Sequence, residues 1–411
     1  MAALFARRER PDGPGHLAAL DGLRAAAILL VVCTHVGAAT GANWWGGIPW
    51  RMIGNGTVGV PIFFVLSGFL LYRPFARAAL GDTDLPAVRG YLRRRALRVL
   101  PAYWLMLPFG LLVAENARAG QPFTWLQLVT LTHIYDPDRW WEGESLSSIW
   151  SLAVEAFFYL LLPLLAWAMH RWGRGSARRL LAMALGLAAV SLAQAMIVRY
   201  AFDLKVVFYL EPLPPRTLGY FGLGMALAVM AERPGRWAAR IGAAPGVGWV
   251  IALCLLALVA TPLGTPLSGP QSAHQYLVAG LLFPAIAVAA VAPAALAPGH
   301  PFTRAVLGNR VAAGFGRISY GVFLWHTPIL MAWYRWTGRP MFLGDFWLVL
   351  GVVLPLSLLV AVLSHDLVEQ PLQRFARRAP RLRATADGGE GGARRVSVPP
   401  GGTETREGVG A

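Results

Sequence analysis

The sequence predicts an all-α, polytopic membrane protein with about ten transmembrane helices and both termini in the cytoplasm. Three observations carry this expectation. First, apolar residues make up 56% of the 411 residues and charged residues only 14%, with a mean hydropathy of +0.50; this is membrane-protein composition. Second, apolar stretches long enough for a roughly 30 Å hydrocarbon core recur near 23–40, 58–74, 99–114, 148–169, 179–198, 214–231, 247–263, 276–297, 318–335 and 345–365. Third, the basic residues alternate between the loops. With the N-terminus inside, the cytoplasmic segments carry 28 of the 37 basic residues and the external segments 8, as the positive-inside rule requires.

That distribution accounts for the net charge of +16 as a topology signal, which removes the nucleic-acid partner that such a charge suggests in a soluble protein. The organisation expected is a cytoplasmic segment at 1–19, a membrane domain at 20–378 and a disordered cytoplasmic tail at 379–411, rich in Gly, Arg, Glu and Pro. The place is the bacterial inner (plasma) membrane, crossed many times. "RRER" before the first apolar run imitates a signal peptide, but the later spans mark that run as retained. Cys33 and Cys254 lie on different spans and give no disulfide framework.

The first span, in "LDGLRAAAILLVVCTH", carries Arg24 and His35. Eleven residues are just over three turns, so both lie on nearly one face, roughly 16 Å apart. Arg24 is expected at the cytoplasmic end and His35 near the external end. Arg24 reads either as snorkelling to headgroups beside Asp21 or as functional, and His35 as either a satisfied interhelical histidine or a reactive one. The second span contains Ser67 and Gly68, small residues suited to close packing. Before the third, "RGYLRRRALRVLPAYW" clusters Arg93, Arg94, Arg95 and Arg98. Their forks suit phosphate as well as anionic lipid.

The external loop 115–147 holds Glu115, Asp136, Asp138, Glu142 and Glu144 with Trp125, Trp140 and Trp141, as an interfacial belt or a cover over a pocket. In the fourth span, Glu155 needs a partner, and the topology permits a pair with His35 that would orient the imidazole. Arg216 opens the sixth span from outside. Tyr320 and His326 lie on the ninth. His365, Asp366 and Glu369 at the end of the tenth read as a helix-end network. No metal site is expected from the scattered histidines, and "GFGRIS" lacks the context of a nucleotide loop.

These residues make the chain recognisable. "LDGLRAAAILLVVCTH", "FFVLSGFLL", "RRRALRVLPAYW", "WSLAVEAFFYLLLPLL", "RISYGVFLWHTPIL" and "VEQPLQRF" resemble, in order, the blocks of the acyltransferase-3 family of integral-membrane acyltransferases. The chain departs from many members at Pro61 and Ile62, and at Ala156, where they carry further acids. The resemblance implies transfer of an acetyl or other short acyl group from acyl-CoA, acetyl-CoA in the simplest case, to a hydroxyl of a glycan or secondary metabolite such as a macrolide. In the form expected here, the unit stands without a fused hydrolase-like domain and transfers directly. The residues then expected to act are His35, Glu155 and Arg24 in catalysis, with a transient acyl-His as the covalent variant. Arg24, Arg93, Arg94, Arg95 and Arg98 would hold the donor, and Arg216, Tyr320 and His326 the acceptor. The alternative is a proton-coupled sugar or metabolite transporter, weakened by the absence of an inverted repeat.

Overall fold

A computed structural model describes residues 17–81, 83–114, 119–136, 144–173, 175–202, 204–266 and 271–372. The expected tail, together with Glu115, Asp138, Trp140, Trp141 and Glu142, lies outside these. Each of the ten apolar stretches coincides with a helix: α1 Ala18–Thr40, α2 Gly59–Gly81, α3 Val88–Ala114, α4 Trp150–Gly173, α5 Ala177–Ala201, α6 Pro214–Glu232, α7 Pro245–Val259, α8 Ala273–Leu296, α9 Arg310–Thr337 and α10 Phe346–Ser364. Among the described residues, six helical stretches are long and apolar enough to cross a membrane. A seventh joins α7 to the short helix Arg236–Ala243 through an 84° bend. The protein is a helical, multi-pass membrane protein.

Local chemistry sets the ends of several helices. Asn309 caps α9 by accepting from the Ala312 amide, and Asp345 caps α10 by accepting from Trp347 and Leu348. Both satisfy amide groups that a helix leaves open at its start. Helix α3 begins eleven residues before the expected span, so the arginine cluster sits on its first turns. It tolerates Pro101 and Pro108 internally. Past Ser364 the last helix widens into a π turn over His365–Glu369, a feature that often marks a functional site.

Packing relies on small residues, since lipid chains leave little hydrophobic drive between helices. A methyl group at Gly68 would run into the Phe221 carbonyl, and one at Gly224 into the Val65 carbonyl. Helices α2 and α6 therefore touch backbone to backbone. Phe221 also stacks on Phe64 at 4.8 Å and on Phe158 at 4.0 Å, which ties α4 to the same crossing. Such pairs are worth about 0.5–1.5 kcal/mol beyond their buried area.

The relative directions of the helices follow from their contacts. Phe64 meets Phe221 and Arg73 meets Glu232, so α2 and α6 run parallel. Phe64 meets Trp150 and Ser67 meets Glu155, so α4 runs parallel to α2. Gly316 abuts Asp21, His326 meets His35, and the Tyr334 hydroxyl donates to the Ala39 carbonyl at 3.0 Å; α1 and α9 are parallel as well. Even-numbered helices pairing in parallel with each other, and odd with odd, is what alternate crossing demands. One end of the bundle thus gathers Arg24, Arg73, Arg77 and Arg98, and the other His35, Trp50 and Arg216.

Candidate active site

Between α1, α2, α3, α4, α9 and the π turn lies a cavity of about 530 Å³, within the range of small-molecule sites. At one end it is charged. Arg24, Arg95, Arg98 and Arg317 face it, together with Asp21, Glu155, Glu369 and His365. Arg24 Nη1 lies 2.7 Å from Asp21 Oδ1 and keeps 19% of its side-chain surface exposed. The salt bridge steers the guanidinium without sealing it. His365 Nδ1 lies 3.3 Å from Glu369 Oε2, so the expected helix-end network is present and also forms a cavity wall. Tyr320 lines the cavity and donates to the Val99 carbonyl at 2.8 Å.

Glu155 also lines this cavity. It accepts a hydrogen bond from Ser67 Oγ at 2.5 Å, and Tyr159 stands one turn further along the same helix face. The His35–Glu155 pair that the topology permits is not formed. Glu155 sits with the arginines, and the α2–α4 crossing delivers Ser67 to it instead. Of the four clustered arginines, Arg95 and Arg98 reach the cavity, whereas Arg93 and Arg94 are exposed on other faces of α3. Arg216 is buried at the opposite end of the bundle, with its guanidinium 5.8 Å from the Tyr220 ring. It does not line the cavity.

The other end of the cavity is apolar, walled by Val60, Phe63, Phe64 and Phe323. The Phe323 ring is 6.1 Å from that of His326. His326, fully buried, makes an edge contact with His35: ring centroids 5.0 Å apart at 64°, and Nε2 3.3 Å from His35 Nδ1. His35 itself is half-buried. A charged chamber at Arg24 is therefore joined, across an aromatic wall, to a pair of imidazoles. Such an arrangement suits an anionic group at one end and proton transfer at the other. Neither histidine lines the cavity directly.

Arg317, one of the basic residues of the cytoplasmic count, and Ser67, a small residue suited to close packing, both line this cavity. The signal that finds Arg317 is its spacing: three residues before Tyr320, it lies on the same face of α9. No metal-holding group of His, Cys, Asp or Glu occurs among the described residues.

The model of a family described as "Acyltransferase domain" matches residues 17–366. YrhL of Bacillus subtilis (strain 168) is 27% identical over 378 residues, covering 87% of this chain and 55% of that protein. The peptidoglycan O-acetyltransferase OatA of Listeria monocytogenes is 24% identical over 337 residues, covering 77% and 49%. The O-acetyltransferase OatA of Staphylococcus aureus (strain NCTC 8325 / PS 47) is 28% identical over 183 residues, covering 41% and 28%. The chain thus spans about half or less of the length of these relatives. No solved structure matches. With the family model covering most of the chain, and with the family's blocks gathered on one cavity, the protein belongs to the acyltransferase-3 family of integral-membrane acyltransferases.

Proposed function

We propose that the protein is an O-acyltransferase that moves an acetyl or other short acyl group from acyl-CoA to a hydroxyl of a cell-envelope glycan. The observation that carries this reading is the cavity running from Arg24 to Phe323, the ring neighbour of the histidine that contacts His35. The donor's phosphates sit at Arg24, Arg95 and Arg98, where guanidinium forks match phosphate oxygens. Its arm extends along α1, whose geometry separates Arg24 and His35 by roughly 16 Å. His35 Nε2 takes the proton of the acceptor hydroxyl while the oxygen attacks the thioester carbonyl. The carbon–sulfur bond breaks, and the proton returns to the leaving thiolate. Glu155 acts on the donor side, with Ser67. The glycan acceptor is favoured over a secondary metabolite by the similarity to the Listeria peptidoglycan O-acetyltransferase. The alternation of basic residues between the loops supports an N-terminus in the cytoplasm, where acyl-CoA is made.

The test is acyl transfer in proteoliposomes from labelled acetyl-CoA to soluble glycan-strand fragments. His35→Ala and Arg24→Ala abolish transfer while the protein still inserts. General-base work alone contributes about 10²–10⁴-fold. Near-normal transfer by either variant sinks the mechanism. Label that appears as transported solute with no donor consumed supports the transporter instead.

A further inference from the structure

The family resemblance implies acceptor binding for His326, and its hydrogen bonds point to a different role. Its Nδ1 lies 2.7 Å from the Phe323 carbonyl oxygen and 3.2 Å from that of Val322. Carbonyl oxygens only accept, so His326 Nδ1 carries a hydrogen. On the other ring, His35 Nδ1 lies 2.9 Å from the Val31 carbonyl oxygen, so it too carries a hydrogen. The two rings meet with His326 Nε2 at 3.3 Å from His35 Nδ1. With a hydrogen already on the His35 side of that contact, His326 Nε2 must be the lone pair that accepts it. Three backbone carbonyls thus settle the tautomer of both imidazoles. The hydrogen on His35 Nδ1 is shared between Val31 and His326, and His35 Nε2 is left unprotonated on the half-buried side of the ring.

We infer that His326 is a positioning residue, a neutral hydrogen-bond acceptor that locks His35 into the tautomer with its Nε2 lone pair free for an acceptor hydroxyl. This rests on the reading of His35 as the base. The geometry replaces the carboxylate partner commonly found behind a reactive histidine with a second imidazole. When His35 Nε2 takes the hydroxyl proton, the imidazolium keeps its Nδ1–H on His326 Nε2. That hydrogen can cross to His326, whose own Nδ1–H stays on Phe323, and return when the thiolate is protonated. Charge is then spread over two rings.

The experiment compares His326→Asn with His326→Gln in the proteoliposome assay. In the asparagine variant the amide reaches only the position of Nδ1. It still donates to Phe323, and nothing accepts from His35. In the glutamine variant the amide oxygen reaches the position of Nε2 and accepts. H326N is expected to lose about 10²-fold in kcat, the scale of a misdirected base, with KM for acetyl-CoA held within twofold. H326Q stays within about tenfold of the parent, and the acid limb of the pH–rate profile shifts in H326N. Equal kcat in the two variants, whether both intact or both lost, overturns the proposal and assigns His326 to packing. His35→Ala is run alongside. If it remains active, the base reading itself fails. If it is dead while H326N is fully active, only the role of His326 falls. Should H326N fail to insert, the H326Q pH–rate profile decides: a profile unchanged from the parent, with kcat lost, overturns the lock.

Discussion

The α2–α6 crossing predicts a strong, non-additive response to single methyl groups. In Gly224→Ala the new Cβ stands 2.7 Å from Phe69 N, and in Gly68→Ala it stands 2.9 Å from the Phe221 carbonyl carbon, against 3.4 Å or more for an ordinary contact. Both obstacles are backbone, so no rotamer relieves them. The carbonyl oxygens of Phe221 and Val65 stand nearer still, so the helices must part by about 1 Å, and a gap of that size forfeits up to roughly half of each van der Waals attraction it opens. Each substitution is therefore expected to cost about 1–3 kcal/mol, as overpacking does. Once one methyl has parted the helices, the second meets less resistance. The double variant should fall short of the sum by about 1 kcal/mol. Gly186→Ala is the control: nothing lies within 4 Å of its Cβ, and replacing a mid-helix glycine by alanine stabilises by about 0.5–1 kcal/mol. Unfolding of the purified protein in mixed detergent measures all four. Acyl transfer should fall with stability at the crossing, because Gly68 adjoins Ser67, the donor to Glu155. Neutral single variants, or strict additivity in the pair, refute the backbone-contact argument.

Three further outcomes are expected. Ser67→Ala removes a hydrogen bond to a partly buried carboxylate, worth about 1.5–3 kcal/mol, and should lower acyl transfer about 10–10²-fold without altering insertion; unchanged kinetics would detach Ser67 from the site. Asp345→Ala, which strips two amides of their acceptor at the start of α10, should cost about 1 kcal/mol, read as a lower melting temperature that Asp345→Asn restores. In the loop turn His133–Tyr135, burial pushes the His133 imidazole down to about 4, against about 6.5 in an unfolded chain. Between those values the unfolded chain binds more protons, so stability is full above pH 6.5 and falls as pH drops towards 4, by about 3 kcal/mol in all. His133→Phe should flatten that acid limb of the melting curve, and an unchanged limb assigns it to another group.

Hydropathy made the helices legible. All ten apolar runs lie on helices, six or seven of which are long and apolar enough to cross a membrane, because an uninterrupted apolar segment is what hydropathy reads most directly. Spacing within one helix was equally informative. It joined Arg24 to His35 on one face and set Tyr320 and His326 on α9. Contacts between helices were not legible. Ser67 and Glu155 are 88 residues apart and His35 and His326 are 291 apart. No periodicity encodes which faces meet, and the pairing of His35 with Glu155 failed for that reason. The arginine cluster shows the same limit: four charges in six residues wind around α3, so only Arg95 and Arg98 can face the cavity.

The parallel pairing of α1 with α9 also sets a schedule. His35 enters the membrane with the first helix, but its ring partner follows 291 residues later. At roughly 5–20 residues per second of synthesis, His35 waits about 15–60 s for that partner. Any chain that stops before the ninth helix carries Arg24 and His35 without His326, and on the proposed mechanism membranes that accumulate such fragments gain no premature acyl transfer from them.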